Sequence, residues 1–122
     1  QVVFFNTQTS TFNSIQVKNV YNYSDAKAKE NIQSLSQSLS ILKLLRPVSY
    51  NFTDNSDNTK FRKGGDGKEI GLLAQEVEQV LPNIVLTDPD GNKLINYTSL
   101  IAVLIDAVKD LNEKVSALEA QQ

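Results

Sequence analysis

Ile101, Leu104, Val108, Leu111, Val115 and Leu118 recur at spacings of 3, 4, 3, 4 and 3 residues. That is a heptad seam, the pattern a helix uses to pack along other helices. A helix running from about Tyr97 to the C-terminus is roughly 35 Å long at ~1.5 Å per residue. Its seam stays exposed unless a partner covers it, so the chain is expected to oligomerise. The seam alternates β-branched residues with leucine, which in simple parallel coiled coils favours two strands.

The rest of the chain reads as short elements. Over residues 1–23, Val2-Val3-Phe4-Phe5, Phe12, Ile15, Val17, Val20, Tyr21 and Tyr23 are separated by Asn, Thr, Ser and Gln without helical periodicity, which predicts short strands. The character changes at Ser24, where Ser24 or Asp25 is a suitable N-cap and Ala26 to Asn31 are mostly helix formers. Leu35, Leu39, Leu42 and Leu45 predict a second helix that stops before Pro47. Val48, Tyr50 and Phe52 alternate as a strand. Asp54 to Lys68 reads as an exposed loop or arm. Glu69 to Leu73 is a short apolar strand, and Ala74 to Leu81 a helix ended by Pro82. Asp88-Pro89-Asp90-Gly91-Asn92, between two apolar runs, predicts a hairpin.

Composition narrows the chemistry. The chain has 122 residues, enough for one domain, and contains no His and no Cys. Zinc, haem and iron–sulfur sites are therefore excluded, as are most nucleophilic mechanisms; no metal and no cofactor is expected. The net charge of −2 argues against nucleic acid or an anionic membrane as partner. The apolar N-terminal run is too short for a signal peptide or membrane span. Lys60 to Lys68 lacks the spacing of a phosphate-binding loop, and Asp54 to Asn58 lacks the Gly and Glu of a calcium loop.

A serine activated by lysine is one of the few nucleophilic routes left. Ser24-Asp25-Ala26-Lys27-Ala28-Lys29-Glu30-Asn31-Ile32 places one serine beside two lysines. Taken alone, Ser24 is more often a helix cap than a nucleophile. A lysine with a pKa of about 10.4 accepts a proton at neutral pH only when desolvated or set beside positive charge. On a continuous helix Lys27, at i+3, shares a face with Ser24 and Lys29, at i+5, does not. Lys29 reaches Ser24 only if Ser24 lies before the first turn, as an N-cap residue does. Both lysines stay open as the base.

This stretch resembles the Ser-Asp-x-Arg/Lys-x-Lys-x-x-Ile signature of the self-cleaving C-terminal intramolecular chaperones of phage tailspikes, tail fibres and neck appendages; a related domain occurs in a membrane-bound animal transcription factor. Three further blocks follow in the family's order. Leu44-Leu45-Arg46-Pro47-Val48-Ser49-Tyr50-Asn51-Phe52 resembles its Pro-Val-x-Tyr-x-Phe strand. Ile70-Gly71-Leu72-Leu73-Ala74-Gln75-Glu76-Val77-Glu78-Gln79-Val80-Leu81-Pro82 resembles its Ile-Gly-x-x-Ala-Gln-Glu-Val helix. Asn96-Tyr97 with Leu100-Ile101 resembles its closing Tyr-x-x-Leu helix. Ala26 stands where the family often has an acidic residue, the apolar position between the two basic ones is Ala28, and Lys27 replaces the commoner Arg.

The resemblance implies an α+β fold: a small antiparallel sheet with short helices and a long C-terminal helix in a trimeric helical bundle. It implies that residues 1–23 are the end of an upstream β-rich stalk and residues 24–122 an auto-processing chaperone. That chaperone trimerises, assists folding of the stalk of the same polypeptide, and releases itself at Tyr23–Ser24. Ser24 is then the nucleophile and Lys29 its base, with Lys27, Gln75 and Glu76 as candidate supporting residues. Assembly takes place in the host cytoplasm, and the domain leaves the mature fibre after cleavage. The competing reading is a non-catalytic trimerisation or adhesion module in which Ser24 only caps a helix.

Overall fold

The computed structural model describes residues 1–52 and 68–121. The predicted arm at 54–68 lies, but for Lys68, outside them. Two compact units divide the chain, one of residues 1–32 and 49–70, the other of residues 33–48 and 71–122. The architecture is α+β: two-residue and three-residue strands in small sheets, short helices, and one long C-terminal helix.

In the first unit, β1 (Phe5–Asn6) pairs antiparallel with β2 (Thr11–Phe12). The Phe5 and Phe12 rings meet edge to face with centroids 5.5 Å apart. Asn6 Oδ1 closes the turn by accepting from the amides of Gln8 at 2.9 Å and Thr9 at 3.3 Å. The strands expected further along the N-terminal segment do not form. Val17, Val20, Tyr21 and Tyr23 lie exposed in irregular backbone, because an isolated hairpin offers too little apolar face to order more chain. A 3₁₀ turn spans Ala26–Ala28. β3 (Val48–Tyr50) pairs with β4 (Glu69–Gly71), strands that belong to this unit except for Val48 and Gly71, and Tyr50 packs edge to face on Phe52 at 5.3 Å.

Among the described residues, the buried ones lie in the second unit. α1 (Ser38–Leu42) is shorter than the leucine spacing predicts. Gln37 sits at φ 61°, a left-handed conformation that ends the helix on its N-terminal side, and Leu35 is left exposed. α2 (Ala74–Val80) buries Val77 completely and is stopped by Pro82, which opens a 3₁₀ turn at Pro82–Ile84. β5 (Val85–Thr87) and β6 (Lys93–Ile95) form the predicted hairpin in the register Val85↔Ile95, Leu86↔Leu94, Thr87↔Lys93. Its turn needs Gly91 at φ +85°, and Asp88 Oδ1 accepts from the amides of Asp90 and Asn92, each at 2.9 Å. Lys93 Nζ ties the hairpin to α2 through Glu78 at 3.1 Å.

α3 (Ser99–Ala120) carries two apolar stripes. Leu100, Val103 and Ala107 are buried, and the helix packs against α1. Each is followed by a seam residue, Ile101, Leu104 or Val108, which lies about 100° further round the helix. The seam is bare along its whole length, from Ile101 at 57% exposed to Leu118 at 62%.

Candidate active site

The segment around Ser24 is shaped by a competition for helix caps. Asp25, extended at φ −69° and ψ 132°, is the N-cap, and its Oδ1 accepts from the Lys27 amide at 2.9 Å. The turn is completed by backbone bonds from Ala28 N to Asp25 O at 3.0 Å and from Lys29 N to Ala26 O at 3.1 Å. Lys29 then returns to extended backbone at φ −120° and ψ 144°. The helix expected over Ala26 to Asn31 is therefore a single 3₁₀ turn, and the capping role falls to Asp25 rather than Ser24. The reason is local: a carboxylate one residue into the motif captures the first free amide, and Asn31 at φ 55° leaves the helical region altogether.

Ser24 and Lys29 flank this turn, and the turn folds them together. Lys29 Nζ donates to Ser24 Oγ at 2.6 Å. Lys27 is directed elsewhere, its Nζ 3.8 Å from Asp25 Oδ2 and its side chain 90% exposed. The geometry of a continuous helix, which favours Lys27, does not apply to three residues of 3₁₀ backbone set between extended neighbours. Tyr23 is exposed at 84%, and the whole stretch from Tyr23 to Lys29 lies at the surface of the chain.

Gln75 and Glu76 lie in the first turn of α2, in the other unit. Gln75 is exposed. Glu76 is held by Arg46 in a two-pronged ion pair, Nη2 to Oε2 at 2.8 Å and Nε to Oε1 at 3.5 Å. The Arg46 hydrogen bond, helped by its charge and opposed by partial burial, holds the Glu76 carboxyl below the usual carboxylate range; the same bond raises Arg46. Arg46 was not legible as a partner, because nothing in its own neighbourhood points to a residue 30 positions away. Tyr97 is a second such link, its hydroxyl accepting from the Leu72 amide at 3.0 Å. Arg46–Glu76 and Tyr97–Leu72 thus join the second block to the third and the third to the fourth.

A 3₁₀ turn brings a lysine onto a serine, and a small α+β body with a long helix and an exposed seam follows in the chain. The chain belongs to the family described as "Chaperone of endosialidase", which it matches over residues 24–86 and which carries a peptidase name. It is similar to the long tail fiber protein Gp37 of Enterobacteria phage K3 and of Enterobacteria phage T2, at 32% identity over 97% of this chain in both cases. It is 28% identical, over 80% of its length, to the protein of the same name from Salmonella phage S16. The chain spans 9% of the length of the K3 and T2 proteins.

Proposed function

We propose that the chain is a C-terminal assembly chaperone of a phage tail fibre or related spike, which trimerises and then detaches itself by cutting the Tyr23–Ser24 bond. The observation that carries the reading is the 2.6 Å contact between Lys29 Nζ and Ser24 Oγ, at the residue where the family match begins. Residues 1–23 are then the trailing end of the stalk, residues 24–122 the disposable chaperone, and virion assembly in the host cytoplasm the setting.

The chemistry balances without a cofactor. With Lys29 as the neutral amine, the contact reverses: the Ser24 hydroxyl donates and Nζ takes its proton. Oγ attacks the Tyr23 carbonyl carbon, closing a five-membered ring through Ser24 N, Cα and Cβ. The carbon–nitrogen bond breaks, and the Ser24 amine leaves with the proton returned by Lys29. The product is an ester between Tyr23 and Ser24 Oγ. Water hydrolyses it to a Tyr23 carboxylate and a free Ser24 hydroxyl. Nucleophile and carbonyl belong to adjacent residues, so the proximity advantage is intrinsic to the chain.

Trimerisation rests on the seam of α3. Six half-exposed aliphatic side chains gain roughly 1 kcal/mol each when a partner covers what is bare. Three helices sharing one seam bury it without a further surface, and in the family it resembles the chain works as a trimer.

Mass spectrometry of the purified protein tests the cut. A fragment beginning at Ser24 is expected, with only full-length chain in Ser24→Ala and Lys29→Ala. Normal processing in both variants overturns the serine–lysine reading and leaves a trimerisation or adhesion module. Sedimentation of the same samples reads the oligomer separately.

A further inference from the structure

We infer that Asp25 is a positioning residue for self-cleavage: it selects which of the two lysines reaches Ser24. The inference rests on the serine–lysine reading above and adds to it a group that touches neither the nucleophile nor the scissile carbonyl.

Two separate contacts of one carboxylate carry it. Oδ1 accepts from the Lys27 backbone amide at 2.9 Å and fixes the start of the 3₁₀ turn. Oδ2 faces the Lys27 ammonium at 3.8 Å. The first contact sets the direction in which the chain leaves the turn, and so sets where Lys29 begins. The second, loose and exposed, has the Lys27 ammonium beside the carboxylate rather than beside the serine. Within six residues, Asp25 thereby separates two chemically identical side chains, leaving Lys27 with a carboxylate and Lys29 with a hydroxyl.

The two contacts differ in what they require. The amide bond needs an oxygen acceptor, which Asn supplies as well as Asp. The contact with Lys27 needs a charge, and because that lysine is almost fully exposed it contributes little. Positioning through the cap therefore predicts a definite order of variants. Asp25→Ala removes the acceptor, loosens the turn and slows self-cleavage by about tenfold, the scale of a lost cap combined with a misplaced base. Asp25→Asn keeps the acceptor and restores most of the rate, to within about threefold of the wild-type chain.

The experiment is a time course of Ser24-terminated fragment by mass spectrometry for the full chain, Asp25→Ala and Asp25→Asn. Melting temperature and oligomeric state are measured on each variant. Slow cleavage in Ala, recovery in Asn and unchanged melting support the inference. Equal rates in Ala and wild type, equal loss in Ala and Asn, or a loss that follows melting temperature overturns it. Hydrogen exchange of the Lys27 amide in a Ser24→Ala background provides a readout independent of cleavage. Faster exchange in Asp25→Ala than in Asp25→Asn is expected, and equal exchange overturns the capping geometry. A wild-type chain that never cuts at Tyr23–Ser24 removes the underlying reading instead, and only the exchange measurement then still reports on the cap.

Discussion

Lys29 Nζ lies 2.6 Å from Ser24 Oγ although five positions separate the two residues, a spacing that would put them on different faces of an α-helix. The contact exists because the backbone makes one 3₁₀ turn and then straightens. Lys29→Arg separates holding the serine from activating it. Arg keeps the donor but stays protonated, so it cannot take the hydroxyl proton. Mass spectrometry should find full-length chain in Lys29→Arg, as in Lys29→Ala. Lys27→Ala should still be cut, within about threefold of wild type, since its exposed side chain lies beside Asp25 and Ser24 is contacted by Lys29.

The Arg46–Glu76 pair makes the second unit sensitive to acid. The folded Glu76 carboxyl has a lowered pKa, chiefly through its hydrogen bond to Arg46. A carboxyl depressed in the folded state contributes stability that is fully present above the unfolded value, about 4.3, and is lost as pH falls through the folded value. The wild-type chain should therefore be more stable than Glu76→Gln at neutral pH. The difference should shrink below about pH 4. Urea midpoints of both chains across pH 3 to 7 check this, and a gap independent of pH would contradict the ion-pair account.

These two sites show how far the sequence could be read. The turn at Asp88 to Asn92, the stop at Pro82 and the seam of α3 were legible because each depends on residues close along the chain: a glycine at positive φ, a proline, a repeat. The choice between Lys27 and Lys29 was not. It depends on Asp25 outcompeting Ser24 for the cap, and two good capping residues side by side give no local preference. The truncation of α1 was hidden for a similar reason. Leucines at helical spacing run through Ser34, Ser36, Ser38 and Ser40, and those serines offer the backbone bonds that compete with a helix. Long-range pairs such as Arg46–Glu76 leave no trace in spacing at all.

The uncovered seam predicts a graded response in assembly. Leu111 is 49% exposed and lies one turn beyond Ala107, where the heptad seam runs on past the last buried residue of the stripe Leu100, Val103 and Ala107. Leu111→Ser should weaken a trimer by about 1 kcal/mol per chain. Summed over three chains, that corresponds to roughly a hundredfold in the overall dissociation constant. The α1–α3 packing should survive, since the buried residues of α3 end at Ala107, one turn before Leu111. Sedimentation equilibrium reads the first effect and helical circular dichroism the second; an unchanged association constant would take the seam out of the interface.

If the proposed trimer forms, charge on the flanks of the seam should set how its helices align. With Ile101, Val108 and Val115 in one seam position and Leu104, Leu111 and Leu118 in the other, Lys114 precedes the seam on one side and Glu119 follows it on the opposite side. In a parallel, in-register bundle, Lys114 of one chain faces Glu119 of the next. In an antiparallel arrangement each would meet its own kind. Among the described residues Lys114 makes a loose contact with Asp110 at 3.9 Å and is 61% exposed, which leaves room for a neighbour's carboxylate. Lys114→Glu and Glu119→Lys should each lower the melting temperature of the trimer. The double variant should recover part of the loss, with a coupling of about 0.5 kcal/mol per pair at low salt that fades as salt is raised. A coupling near zero would mean that the chains do not run parallel in this register. The same cycle in the Leu111→Ser background, diluted until sedimentation shows single chains, should show none, because residues five apart on one helix do not face each other.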